Sequence, residues 1–226
     1  MNCKVFVTIK KIITKICIKT YTFQRLRYKI IAKGNVLMIC IFPGTFNPIH
    51  DGHLKMASFA LSHYKFDKVI FIPSYLPPHK EIQDNLAKHR LNMVKIATSH
   101  NPKFEVSEIE YNNKSTSYSI ITVKKIIEQY KLETRLNFII GSDAFIKLNT
   151  WYKPDEIKQL VHFIVFPRKG EGKEVIYNDF KTNGWSFEIA PMGYVNISST
   201  GIRSSKEKIQ NREIKEYIYN NGLYRT

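Results

Sequence analysis

The chain has 226 residues, with 43% hydrophobic and 24% charged side chains, enough for one ordinary domain with a real core. No apolar run reaches the roughly 18 residues that span a bilayer, and three cysteines (Cys3, Cys17, Cys40) without a CxxC give neither a disulfide framework nor a zinc cage, which points to a reducing cytoplasm. The net charge of +16 is unevenly placed: residues 1–37 hold nine Lys or Arg and no acid, leaving the rest at +7, a balance that suits polyanionic nucleotides without requiring a nucleic-acid partner.

That step in composition puts the start of the folded domain at Met38, with 1–37 as a basic extension outside it. Ile9 to Lys19 within the extension has the pattern of a basic amphipathic helix, suited to an anionic surface. A targeting segment and an upstream extension with no role in the fold are the other readings.

From Val36 to Phe42 the chain is continuously apolar and stops at Pro43-Gly44, the pattern of a strand buried on both faces. A loop follows, then a helix from about 52 to 64 with Leu54, Ala57, Leu61 and Tyr64 on one face. Lys68 to Pro73 is a second buried strand, Pro77 to Lys80 a loop, and 87–99 a helix. A short strand at 104–106 precedes a helix over 118–130, whose face is marked by Ile120, Ile121, Val123, Lys124 and Ile127. Leu136 to Ile140 is a strand closed by Gly141. Pro154 opens a helix to about Leu160, in a position where its missing N–H costs nothing. His162–Phe166 and Ser186–Ile189 are strands, and helices over 199–208 and 212–220 close the chain before Gly222.

Strands alternate with helices throughout. The expected fold is therefore α/β: a Rossmann-like, doubly wound parallel sheet with flanking helices in a single domain over 38–226. Ligands of such sheets bind beyond the carboxyl ends of the strands, at the switch point. The loops there start at Pro43, Ser74, Gly141 and Arg168. The sequence contains no GxGxxG, no GxxxxGK[ST] and no GxSxG, which removes the commonest chemistries of this fold class.

After the first strand comes Gly44-Thr45-Phe46-Asn47-Pro48-Ile49-His50-Asp51-Gly52-His53. Backbone N–H groups at a helix start attract phosphate, and Gly44 and Gly52 allow close approach. Thr45 adds a hydroxyl, and imidazole N–H groups can bind phosphate oxygens where charge grows in a transition state. Two histidines three apart also suit a metal or a plain surface. A metal needs a third ligand, and only Asp51 is at hand, so no protein-held metal is expected.

This stretch resembles the signature G-T-F-D-P-x-H-x-G-H of the HxGH nucleotidyltransferases. A second motif of that superfamily, I-S-S-T-x-I-R, is matched by Ile197-Ser198-Ser199-Thr200-Gly201-Ile202-Arg203. Further stretches are similar to bacterial nicotinate-mononucleotide adenylyltransferases: Ile72-Pro73-Ser74, Pro77 to Lys80, Ser117-Tyr118-Ser119, Ile139 to Asp143, Thr150-Trp151-Tyr152, Arg168, and the ending Gly222-Leu223-Tyr224. The resemblance covers residues 38–226.

It implies transfer of AMP from ATP to nicotinate mononucleotide, giving deamido-NAD and pyrophosphate, with Mg²⁺ accompanying ATP. His50, His53 and Arg203 would be catalytic, His53 acting most directly at the α-phosphate. Gly44, Thr45, Phe46, Lys80, Arg168, Ser198, Ser199 and Thr200 would bind ATP. Asn47, Ser119, Asp143, Trp151 and Tyr152 would bind the mononucleotide: Trp151 stacks on the pyridine ring, Asp143 holds ribose hydroxyls, and Ser119 and nearby amides read the carboxylate. Three positions depart from the pattern: Pro43 stands for the usual Gly, Asn47 for Asp and Ser119 for Thr. Asn47 also occurs in relatives that use nicotinamide mononucleotide, and Pro43 is matched in phosphopantetheine adenylyltransferases. A basic binding protein that kept the fold without activity is the alternative from another class.

Overall fold

The computed structural model describes residues 30–32, 35–78, 85–112, 114–168 and 180–224. The basic stretch 9–19 and the expected ATP ligand Lys80 lie outside the described residues. Two short strands, β1 (Ile30–Ala32) and β2 (Asn35–Leu37), pair antiparallel with each other. The main sheet has six strands: β3 (Ile39–Gly44), β4 (Lys68–Pro73), β5 (Phe104–Val106), β6 (Leu136–Gly141), β7 (Val161–Phe166) and β8 (Phe187–Ile189). Their order is β5-β4-β3-β6-β7-β8, and every pairing is parallel. The order reverses between β3 and β6, so the switch point opens beyond Gly44 and Gly141.

The helices are α1 (Asp51–Tyr64), α2 (Asn85–Thr98), α3 (Ser119–Tyr130), α4 (Ser142–Phe145), α5 (Pro154–Leu160), α6 (Ser199–Arg203) and α7 (Arg212–Asn220), with a 3₁₀ turn at Leu148–Thr150. They cover both faces of the sheet. Cys40 and Phe42 face one core, with Met56, Ala57, Val94 and Ile214. Ile39 and Ile41 face the other, with Ile120, Val123, Phe138 and Ile157. Each strand residue alternates between two buried layers, which is why β3, β4, β6 and β7 read as unbroken apolar runs. Among the described residues no helix is long and apolar enough to cross a membrane.

Several local expectations are corrected. The single strand expected over 36–42 is two, because the chain changes partner at Met38. The Met38 N–H donates to the Asp67 carboxylate at 2.6 Å, and its carbonyl accepts the Asp67 N–H at 2.7 Å. In α3, Ile121 points outward at 44% exposure, while Ile126 is buried and Lys124 pairs with Glu156 on the surface. The doubled apolar pairs Ile120-Ile121 and Ile126-Ile127 leave the phase of that helix ambiguous from pattern alone. The helix expected over 199–208 ends at Arg203. There the chain turns through Ser205 in the left-handed region (φ 59°), and the Lys206 and Glu207 N–H groups both donate to the Gly201 carbonyl.

Candidate active site

The loop between β3 and α1 is the floor of the site, and it is buried: Phe46, Asn47, Ile49 and His50 are each less than one-tenth exposed. His50 caps α1. Its own N–H donates to Nδ1 of His53 at 3.2 Å, and the two imidazoles stack 3.7 Å apart. Phe46 packs edge-on against His53, with ring centroids 5.0 Å apart. A side chain at Gly52 would meet methyl groups of Val195 and Ile197 at 2.6 Å, so the absent Cβ is what lets the later segment close over the start of α1.

That later segment carries the second motif, and the two motifs touch. Ser199 Oγ donates to the Pro48 carbonyl at 2.9 Å, and Arg203 Nη1 donates to the Asn47 carbonyl at 2.6 Å. Arg203 also reaches Thr200 Oγ1 at 3.3 Å. Ser198 caps α6, its side chain accepting from the Gly201 N–H at 3.0 Å. Glu207 folds back so that its carboxylate accepts the Ser198 N–H at 2.5 Å. The C-terminal motif thus donates to two successive carbonyls of the N-terminal loop.

Across the switch point, Gly141 opens α4. Asp143, half-exposed, pairs with Arg168 at 3.3 Å, and the Arg168 N–H donates to Ser142 Oγ at 2.9 Å. The structure therefore joins a residue expected at the ribose to one expected at the triphosphate. A second group forms where α3 begins. Ser119 is its first residue, and the rings of Tyr118 and Tyr152 lie 4.7 Å apart. Trp151 is partly buried, with its ring 6.1 Å from Phe138. Beside Tyr118, a small open pocket is lined by Glu110, Ser117 and Thr122 among others.

Two residues of this region escape a reading of the sequence. Arg90, on α2, is fully buried; it donates to the carbonyls of Thr45 (2.8 Å), Ser74 (2.6 Å) and Tyr75 (2.7 Å). It ties the ends of β3 and β4 together. Glu110 is the partly buried acid near it, its acidity weakened by loss of water, and it accepts from Thr122 Oγ1 at 2.6 Å and the Tyr75 N–H at 3.3 Å.

Electrostatics set His50 apart. Burial, then the positive field of Arg168, lowers its pKa to about 4, against a smaller opposing effect of Asp51. Among the described residues neither ring nitrogen has a hydrogen-bond partner. The imidazole is thus neutral at pH 7, with one donor and one acceptor to offer. Its folded pKa lies below the unfolded value near 6.5, so the unfolded chain takes up the proton first. Stability is full above about pH 6.5 and falls as pH drops toward 4, by on the order of 3 kcal/mol from this residue. Urea unfolding between pH 7 and 4.5 should show a steeper loss for the wild type than for His50→Gln; parallel slopes would rule this out.

A doubly wound sheet whose switch point holds an HxGH helix start, closed by a serine-, threonine- and arginine-bearing helix, defines a nucleotidyltransferase. The model of the Cytidylyltransferase-like family matches residues 41–205. A probable nicotinate-nucleotide adenylyltransferase of Caldicellulosiruptor saccharolyticus is 35% identical over 199 residues, covering 84% of this chain and 100% of its own. One from Clostridium novyi is 40% identical over 188 residues, covering 79% and 90%. The nicotinic acid mononucleotide adenylyltransferase of Plasmodium falciparum, solved with NaAD, superposes with a TM-score of 0.69 over 82% of this chain and 96% of its own; at 19% identity that likeness speaks for the fold. The chain belongs to the cytidylyltransferase-like family and, within it, to the nicotinate-nucleotide adenylyltransferases.

Proposed function

We propose that this chain transfers AMP from ATP to nicotinate mononucleotide, releasing pyrophosphate and forming deamido-NAD for NAD biosynthesis. The observation that carries this reading is the contact between the two motifs, Ser199 and Arg203 on the loop that leads into His50 and His53. The mononucleotide phosphate attacks the α-phosphorus in line, and pyrophosphate leaves from the opposite side. No covalent intermediate on the protein is required. Catalysis is positioning plus stabilisation of spreading charge. His53 and His50 bind the reacting phosphates. Gly44, Thr45, Phe46, Ser198, Ser199, Thr200 and Arg203 cradle ATP, with Arg168 and Lys80 at the triphosphate. Asn47, Ser119, Asp143, Trp151 and Tyr152 hold the mononucleotide.

Imidazoles, hydroxyls, amides and guanidinium are partners for phosphate oxygens rather than for a hard cation. That donor set fits Mg²⁺ arriving on the triphosphate, where it neutralises charge and keeps most of its waters. Residues 38–226 form the catalytic domain in this reading, which the six-stranded sheet within that span supports. The cysteine pattern, an odd number without a CxxC, favours a cytoplasmic setting.

The test is the full chain with ATP and each pyridine mononucleotide. Pyrophosphate and deamido-NAD should form with the nicotinate substrate. Faster turnover of the nicotinamide substrate would place the amide Asn47 on the side of amide selectivity, and release of no pyrophosphate with either would sink the reading. Trp151→Ala should raise KM for the mononucleotide about tenfold or more, since base–aromatic stacking contributes roughly 1–3 kcal/mol. Its kcat should change less; a large fall in kcat at unchanged KM would contradict a stacking role.

A further inference from the structure

We propose that Tyr224 is a positioning residue of the active site: its hydroxyl fixes the orientation of the Asn47 side chain, and with it the face of the signature loop that meets the mononucleotide. This rests on the adenylyltransferase reading given above. Tyr224 Oη donates to Asn47 Oδ1 at 2.5 Å, across 177 residues of sequence. The Asn47 carbonyl is held separately by Arg203, and the Thr45 carbonyl two residues earlier by Arg90. Three elements therefore grip three acceptors of one loop, and the only side-chain acceptor among them belongs to Asn47.

The phenol is a donor for a physical reason. It is partly buried, and the loss of water pushes its ionisation well above the ordinary range, although Arg90 and Arg203 both favour the phenolate. With Oδ1 taken by the hydroxyl, the amide turns its Nδ2 donor the other way. A freely rotating amide presents either end; this one presents a chosen end.

The placement of Tyr224 is built by the chain around it. After α7 the Asn221 N–H donates to the Tyr217 carbonyl, its side-chain amide donates to the same oxygen at 2.8 Å, and the Leu223 N–H donates to the Ile218 carbonyl at 3.0 Å. Gly222 has φ 61°, and Leu223 is buried in the core beside α1 and α2. Tyr224 itself has φ 59°, a region that bulky residues rarely adopt. A side chain held in that conformation, with its hydroxyl on a loop of the site, is held for its contact.

Tyr224→Phe keeps the ring and removes only the hydroxyl. In the full chain, KM for the mononucleotide should rise about tenfold, the effect of one lost hydrogen bond to a site residue. KM for ATP should stay within about twofold, and the melting temperature within a few degrees. Mononucleotide and ATP constants both within about twofold of wild type would overturn the proposal. So would equal rises in both accompanied by a lower melting temperature, the mark of a purely structural residue. A second readout does not depend on turnover: the side-chain amide resonances of Asn47, assigned by their loss in Asn47→Asp, should shift in Tyr224→Phe. Unshifted resonances overturn the inference even in a chain that converts neither mononucleotide, an outcome that would sink the substrate reading instead.

Discussion

Replacing His53 by alanine should lower kcat by about 10² to 10³, the loss typical of removing one preorganised donor at a developing charge, and should lower the melting temperature by several degrees through the lost cap to the His50 N–H. The reason lies in which ring nitrogen carries the proton. Nδ1 of His53 accepts the His50 N–H at 3.2 Å, so in the neutral ring the proton resides on Nε2. The backbone of the helix cap therefore chooses the tautomer, and Nε2–H is the donor that a phosphate oxygen would meet. Phe46 on one side and the stacked His50 ring on the other hold the imidazole in place, which removes the cost of ordering it during the reaction. His53→Gln carries both an acceptor and a donor and should recover part of the lost rate. Steady-state kinetics of the two variants beside thermal melts decide the matter: an active His53→Ala chain would exclude this donor role.

Much of this frame could be read in the residues. Parallel strands buried on both faces leave contiguous apolar runs, so β3, β4, β6 and β7 announce themselves. Gly44, Gly52 and the histidines are legible because a phosphate loop needs small residues and donors close together in sequence. What the sequence hides is long-range. Nothing local to Tyr224 points to Asn47, and nothing local to Met38 points to Asp67, yet those pairs set a site orientation and a strand boundary. Arg90 left a faint signal. It falls three residues after Ala87 and four before Val94, on the buried side of α2, but an arginine amid an amphipathic helix reads by default as surface. Sequence pattern likewise treats Asp143 at a ribose and Arg168 at a triphosphate as separate, whereas the fold brings the two side chains to 3.3 Å.

Arg90 is the position where the largest loss of stability is expected. Arg90→Met fills similar volume but leaves the carbonyls of Thr45, Ser74 and Tyr75 without their donor. Orphaned buried acceptors cost about 1–3 kcal/mol each before relaxation. Water entry and shared relaxation reduce that sum, so a loss of roughly 3–5 kcal/mol is expected, the range for breaking a buried charged network. Arg90→Lys should fall between the two, because an ammonium on a flexible stem cannot reproduce a planar fork across three carbonyls. Urea unfolding measures this, and a Met variant within about 1 kcal/mol of wild type would rule out the staple. The charge matters as well as the geometry. Among the described residues no carboxylate bonds this guanidinium directly; burial weakens its hold on the proton, and Tyr111, Tyr224 and Glu110 offset that from nearby. A cation sealed beneath the ends of β3 and β4 leaves its field directed at the loop where a polyanion is expected to bind, in a low-dielectric setting that screens it little. Arg90→Met should therefore also raise KM for ATP at temperatures where the variant remains folded. If stability falls and KM for ATP does not move, Arg90 is a scaffold residue alone, and the positive potential of the site comes from Arg168 and Arg203.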